Sequence, residues 1–141
     1  IPTVVITISM VVLANIMSGA GMTDFLARGL ARAVGRWFPL ASPAIGALGT
    51  FLAGSDTASN VLFGKLQVST AGSIGVSSLW LAAANAAGAT GGKLLSLQNL
   101  TLAASGIGKP GEEVTLLRFT AIYCMFYLIL LGFIIQLGAG F

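Results

Sequence analysis

A seven-residue polar segment at positions 54–60 interrupts apolar sequence and carries a carboxylate that is well placed for chemistry. The segment reads Gly-Ser-Asp-Thr-Ala-Ser-Asn, and its carboxylate is Asp56. In hydrocarbon, a carboxylate beside several hydroxyl and amide groups is costly unless these groups face water, a substrate or an ion. The segment therefore predicts part of a transport site in a membrane protein.

A second polar interruption at residues 88–92 reads Gly-Ala-Thr-Gly-Gly. Where a helix is broken, the N–H groups at the start of the next half attract anions, and unwound carbonyls attract cations. Glycine also lets a ligand approach the backbone closely. We therefore predict backbone breaks at Gly54, Gly88 and Gly92.

Side chains that can hold a small carboxylate are concentrated at these two interruptions. The candidate substrate-binding residues are Ser55, Thr57, Ser59, Asn60, Asn85, Thr90, Gly91, Lys93, Gln98 and Asn99. Lys93 supplies the cation that a carboxylate requires. Asp56 is the candidate for proton coupling, because removing a carboxylate from water favours its protonated form.

Structural roles remain open for several of these residues. Asp56 can form a structural ion pair with Lys93 or with another helix, and Lys93 can instead extend its charge to the membrane interface. Ser55 and Thr57 can bond within their own helical turn. Asn85 can be a contact between packed helices.

The composition indicates a polytopic membrane protein. Of 141 residues, 56% are hydrophobic and 8% are charged, with a mean hydropathy of +0.96, whereas soluble domains are about 25% charged. The chain has no histidine, which excludes a histidine-based triad or metal site within it. Its few basic residues are too sparse for a nucleic-acid surface. We expect no metal or cofactor, and we expect Cys124 to be a buried thiol.

Apolar runs and turn signals divide the chain into five predicted segments. They are a spanning helix at 1–19, an interfacial amphipathic helix at 22–38, a re-entrant helical hairpin at 42–67, a broken transmembrane helix at 77–105 and a spanning helix at 112–138. Residues 42–67 can also form one span broken at its middle. Non-helical backbone at membrane depth requires a protein-lined or water-lined cavity. The predicted fold class is therefore an all-α polytopic membrane protein.

The polar motifs resemble the bacterial L-lactate permease family. The resemblance is carried by residues 54–60 with 62–64, by Asn85 and residues 90–93, by Gln98 and Asn99, and by residues 117–120. It extends over nearly the whole chain. It implies the C-terminal part of a much longer protein, in the second half of an inverted-repeat ion-transporter fold. The absent N-terminal half would then complete the site.

The resemblance implies a multi-pass protein of the bacterial inner membrane that carries L-lactate, D-lactate or glycolate by proton symport. A sodium-coupled carboxylate transporter and an ion/proton antiporter are alternatives, followed by a non-transporting membrane subunit. An enzyme is disfavoured because no histidine or metal cluster accompanies Asp56. Sidedness stays open, since the positive-inside rule and the inverted-repeat analogy place the hairpin on opposite sides. The oligomeric state is also open.

Overall fold

The computed structural model describes residues 2–140, without the side chains of residues 2–4, 6, 7 and 10. Within this part of the chain the structure is entirely helical, which confirms the predicted all-α class. The helices are α1 (Pro2–Gly19), α2 (Met22–Ala33), α3 (Phe38–Ala53), α4 (Asp56–Ile74), α5 (Ser78–Gly92), α6 (Leu97–Gly106) and α7 (Glu113–Gly138), with a 3-10 turn at Gly35–Trp37. Ile1, the first residue of the predicted spanning helix at 1–19, and Phe141, the last residue of the chain, lie outside the described residues.

Helices α3, α4 and α5 form the centre of the structure. Helices α3 and α4 are an antiparallel hairpin that turns at Gly54 and Ser55, and Ser59 Oγ donates a hydrogen bond to the Gly46 carbonyl at 2.7 Å across it. Helix α5 runs antiparallel to α4 and parallel to α3. Its parallel course is clear from two contacts, since Gly88 lies on the carbonyl of Pro43 and Gly92, one turn later, on that of Ala47.

Three glycines allow α3 and α5 to meet backbone to backbone. A Cβ built at Gly46, Gly88 or Gly92 would overlap a backbone carbonyl oxygen of the facing helix, that of Asn85, Pro43 or Ala47 respectively. Small residues of this kind permit close helix packing in membranes. They therefore set the distance between the two helices.

The predicted break at Gly88 is wrong, because α5 continues through this residue and ends at Gly92. The non-helical link occupies residues 93–96, directly after the predicted interruption. Gly88 serves the contact with α3, so its lack of a side chain is used for packing and not for a break. Gly92 is the last helical residue and combines packing with helix termination.

Two predicted boundaries also differ in the hairpin. Helix α3 begins at Phe38 rather than at Ser42, since Pro39 is acceptable in the first turn, where N–H groups have no helical partner. Helix α4 extends to Ile74, beyond the predicted end at residue 67. In its polar end, the hydroxyl groups of Thr70 and Ser73 are satisfied within the helix, since they donate to carbonyls one turn earlier at 2.8 and 3.1 Å.

The interfacial helix predicted at 22–38 is shorter in the structure. Helix α2 ends at Ala33, and the 3-10 turn then leads directly into α3. Ser69 Oγ donates to Asp24 Oδ1 at 3.1 Å and links α4 to α2. Lys65 Nζ on α4 similarly donates to Ser18 Oγ on α1.

Helix α7 packs against α3 and α5 and runs antiparallel to both. Tyr127 Oη donates to the Ala87 carbonyl at 2.9 Å, and Trp80 Nε1 donates to the Ile135 carbonyl at 3.0 Å. Among the described residues, α7 is the one helix long and apolar enough to cross a membrane. The span predicted at 1–19 corresponds to α1, whose side chains are described only in part, and it stays a prediction.

Candidate functional site

The turn between α3 and α4 places a carboxylate at the N-terminus of α4. Gly54 adopts a left-handed conformation with φ 70° and ends α3, its N–H bonding to the Thr50 carbonyl at 2.7 Å. Ser55 is extended and its hydroxyl accepts a hydrogen bond from the Ala58 N–H at 3.4 Å. Asp56 is the first residue of α4, where the helix dipole favours a negative charge.

Asp56 forms an ion pair with Lys93 across the α4–α5 interface. Asp56 Oδ2 lies 2.8 Å from Lys93 Nζ, and Thr50 Oγ1 donates to Asp56 Oδ1 at 3.4 Å. Lys93 caps the C-terminus of α5, where the dipole favours a cation. The side chains are 26% exposed for Asp56 and 50% exposed for Lys93. An exposed ion pair in water contributes about 0–1 kcal/mol, so a competing anion could displace Asp56 at low cost.

The two interrupted segments meet beside this ion pair. A Cβ built at Gly54 would overlap Gln98 Oε1, so glycine at this position makes room for the Gln98 side chain at the start of α6. A cleft of about 310 Å³ lies where the two segments meet, and its lining includes Gly54, Ser96 and Gln98. The end of α3 and the start of α6 are therefore neighbours, and the start of α6 carries free N–H groups of the kind that attract anions.

Two buried polar atoms near the start of α6 have no hydrogen-bond partner among the described residues: Ser96 Oγ and Asn99 Nδ2. Ser96 is 1% exposed, lines the cleft and occupies the N-cap of α6 without bonding the helix through its side chain. Sequence reasoning missed Ser96, although a serine before an apolar run is a signal for an N-cap. An unpaired buried donor is a candidate contact for a ligand.

A buried chain of polar side chains lies further along the α4–α5 interface. Gln67 bonds Ser42 on α3 and Asn85 on α5, and Asn85 Nδ2 donates to Asn60 Oδ1 at 2.8 Å. Ser42, Gln67 and Asn85 are fully buried, whereas Asn60 is exposed. The candidate residues Asn60 and Asn85 are thus joined directly, and Asn85 is held in turn by Gln67, which sequence reasoning did not single out.

Three other candidate residues do not join the Asp56–Lys93 ion pair, although the sequence predicted one common site. Ser59 is fully buried and its hydroxyl is used within the hairpin. Thr90 donates to the Ala86 carbonyl at 3.3 Å. Gly91 is buried against the Tyr127 ring of α7. Thr57 is exposed in the first turn of α4, close in sequence to the ion pair.

The sequence profile of the L-lactate permease family matches residues 1–140 of the chain. The chain belongs to the L-lactate permease family. The L-lactate permease of Escherichia coli K12 is 42% identical over 126 residues, which are 89% of this chain and 23% of that protein. The glycolate permease GlcA of the same strain is 41% identical over 136 residues, 96% of this chain and 24% of that protein.

The L-lactate permease of Bacillus subtilis strain 168 is 40% identical over 127 residues, 89% of this chain and 22% of that protein. The chain therefore spans less than a quarter of the length of these curated permeases. No solved structure matches it. Membership of the L-lactate permease family confirms the resemblance and indicates a membrane protein.

Proposed function

We propose that the chain forms one side of the transport site of a permease for short 2-hydroxy monocarboxylates. The substrates would be L-lactate, D-lactate and glycolate, carried with a proton across the bacterial inner membrane by a multi-pass protein. The family and the names of the related permeases support the substrate class. The observation that carries the proposal is the ion pair between Asp56 and Lys93, located where two helix breaks meet.

In this proposal Lys93 exchanges one carboxylate for another. In the empty site it pairs with Asp56. Protonation of Asp56 removes that negative charge, so Lys93 becomes free to bind the carboxylate of the substrate. When the rest of the permease closes over the site and excludes water, proton and substrate must bind together, because an uncompensated charge away from water costs several kcal/mol.

The groups around the ion pair would orient the bound acid. Ser55, Thr57 and Gln98 lie at the starts of α4 and α6, and their polar side chains can bond the carboxylate. The unpaired Ser96 Oγ and Asn99 Nδ2 supply further donors at the same helix start. The rest of a longer permease would close the other side.

Uptake of labelled L-lactate by the full-length parent permease in membrane vesicles tests this proposal. We expect an inward proton gradient to accelerate uptake and a sodium gradient to leave it unchanged. Asp56→Asn should abolish the acceleration, since a permanently neutral side chain cannot bind or release the proton. Asp24→Asn is the matched control, because Asp24 contacts Ser69 on the other side of α4 and lies outside the proposed site.

Uptake driven by sodium alone, or a proton response that persists in Asp56→Asn at wild-type expression, would contradict proton coupling through Asp56. Absence of lactate and glycolate uptake by the wild-type parent would contradict the substrate class.

A further inference from the structure

We propose that three linked amide side chains hold Asn60 with its N–H groups pointing out of the helix interface, as a donor to the 2-hydroxyl oxygen of the substrate. Asn60 would then read the feature that distinguishes a 2-hydroxy acid from a simple carboxylic acid. Gln67 is a positioning residue that acts through Asn85. This inference rests on the proposed function and assigns its specificity.

A backbone carbonyl sets the donor-to-acceptor direction of the hydrogen bonds that link these amides. Gln67 Nε2 donates to the Ser42 carbonyl at 3.1 Å, and a carbonyl can only accept, so the nitrogen of Gln67 must face it. Gln67 Oε1 accepts from Ser42 Oγ at 2.8 Å. The second N–H of Gln67 then donates to Asn85 Oδ1 at 3.2 Å. The orientation of Gln67 therefore fixes the orientation of Asn85.

Asn85 passes this orientation to Asn60. Because Asn85 directs its oxygen to Gln67, its nitrogen faces Asn60 and donates to Asn60 Oδ1 at 2.8 Å. The nitrogen of Asn60 is left on the other side of its amide, and this residue is exposed. Reversing Gln67 would place its oxygen against two acceptors, the Ser42 carbonyl and Asn85 Oδ1. Reversing Asn85 would place its nitrogen against Gln67 Nε2, so either change leaves buried groups without partners. Asn60 is thus held as an outward donor.

The position of Asn60 suits the hydroxyl of an acid held by Lys93. Asn60 follows Asp56 by four residues on α4, which places it about 6 Å further along the same helix face. An acid that takes the place of Asp56 at Lys93, with a hydrogen bond of about 2.9 Å at each end, is long enough to span this separation of one helical turn. In a 2-hydroxy acid the hydroxyl is on the carbon next to the carboxylate, so both groups can be held at once.

The test compares L-lactate with propionate, which has the same carbon skeleton and lacks the 2-hydroxyl. In vesicles containing the full-length permease, we would measure the KM for L-lactate uptake and the inhibition constant of propionate against it. Gln67→Leu and Asn60→Ala should raise the lactate KM by about three- to tenfold, the loss expected for one neutral hydrogen bond. Propionate inhibition should stay at its wild-type value.

Thr70→Val is the matched control for Gln67→Leu. Thr70 is fully buried on the same helix, three residues further on, and bonds only the Leu66 carbonyl of its own helix among the described residues. It should leave the lactate-to-propionate preference unchanged. If Gln67→Leu does not reach the membrane, Asn60→Ala carries the test, since Asn60 is exposed and its loss empties no core position.

This inference would be overturned if the variants weakened the binding of lactate and propionate equally, or if Asn60→Ala left the preference for lactate over propionate unchanged. The proposed function would stand in either case, provided that the wild-type permease takes up lactate or glycolate. A wild-type permease that transports neither lactate nor glycolate would overturn both.

Discussion

Asp56 and Lys93 each occupy a helix end whose dipole suits their charge, the start of α4 and the end of α5. The same backbone that places these charges also leaves both side chains partly exposed. An exposed ion pair contributes only about 0–1 kcal/mol, so breaking it costs little. Partial exposure also gives a competing carboxylate access to Lys93, as the proposed exchange requires.

Gly88 is expected to tolerate no larger residue, because a Cβ there would overlap the Pro43 carbonyl. Gly88→Ala should destabilise the full-length permease by about 1–3 kcal/mol, the usual effect of overpacking. A lower thermal unfolding midpoint of the purified protein would be the observed result. Gly72→Ala on α4 is the control, since no atom lies within 4 Å of the added carbon, and it should be neutral or slightly stabilising. Equal midpoints for both variants would contradict the close packing of α3 and α5.

At the scale of the helices, sequence reasoning located the hairpin turn at Gly54 but misplaced the second break. A glycine signals both a helix break and a close helix contact, and local sequence does not distinguish the two. At Gly88 the deciding contact is with Pro43, which is far away in the chain. The same limit explains why Gln67 was missed, because its partners Ser42 and Asn85 come from two other helices.

The phase of a helix explains why some candidate residues do not join the site. Asn85 and Lys93 face α4, while Thr90 and Gly91 lie on the α7 side of the same stretch, in a cleft with Tyr127. The residue types were informative about chemistry, but not about which face carries them. The pairing of Asp56 with Lys93 was foreseen only as an alternative to the transport role.

We predict that one face of helix α7 is in contact with lipid. Its apolar side chains are largely exposed, with Phe126 at 70% and Leu137 at 83%, as expected for a helix in contact with lipid. In a Cys124→Ala background, Phe126→Cys should resist a membrane-impermeant maleimide until detergent is added. Lys109→Cys, in the exposed loop before α7, should react in intact membranes from one side. Rapid labelling of Phe126→Cys in intact membranes would contradict a lipid-facing α7.

At the scale of the whole molecule, the chain is short beside its relatives and exposes much apolar surface. It spans less than a quarter of its curated relatives, and large apolar side chains are exposed on α1 and α7. Lipid and the rest of the permease would cover these surfaces. Lys93 and Asn60 are also exposed. In the proposed site, residues outside this chain would therefore cover them and complete the contacts to the substrate.

The most direct test of the account is gradient-free counterflow of labelled L-lactate through the full-length permease, because exchange needs substrate binding but no net proton movement. Asp56→Asn should retain counterflow and lose its dependence on pH. Lys93→Gln should raise the KM for lactate by about 10- to 100-fold, the loss of one charge-assisted hydrogen bond, while Lys109→Gln should match the wild type. A wild-type KM in Lys93→Gln at normal expression would contradict the claim that Lys93 binds the substrate carboxylate.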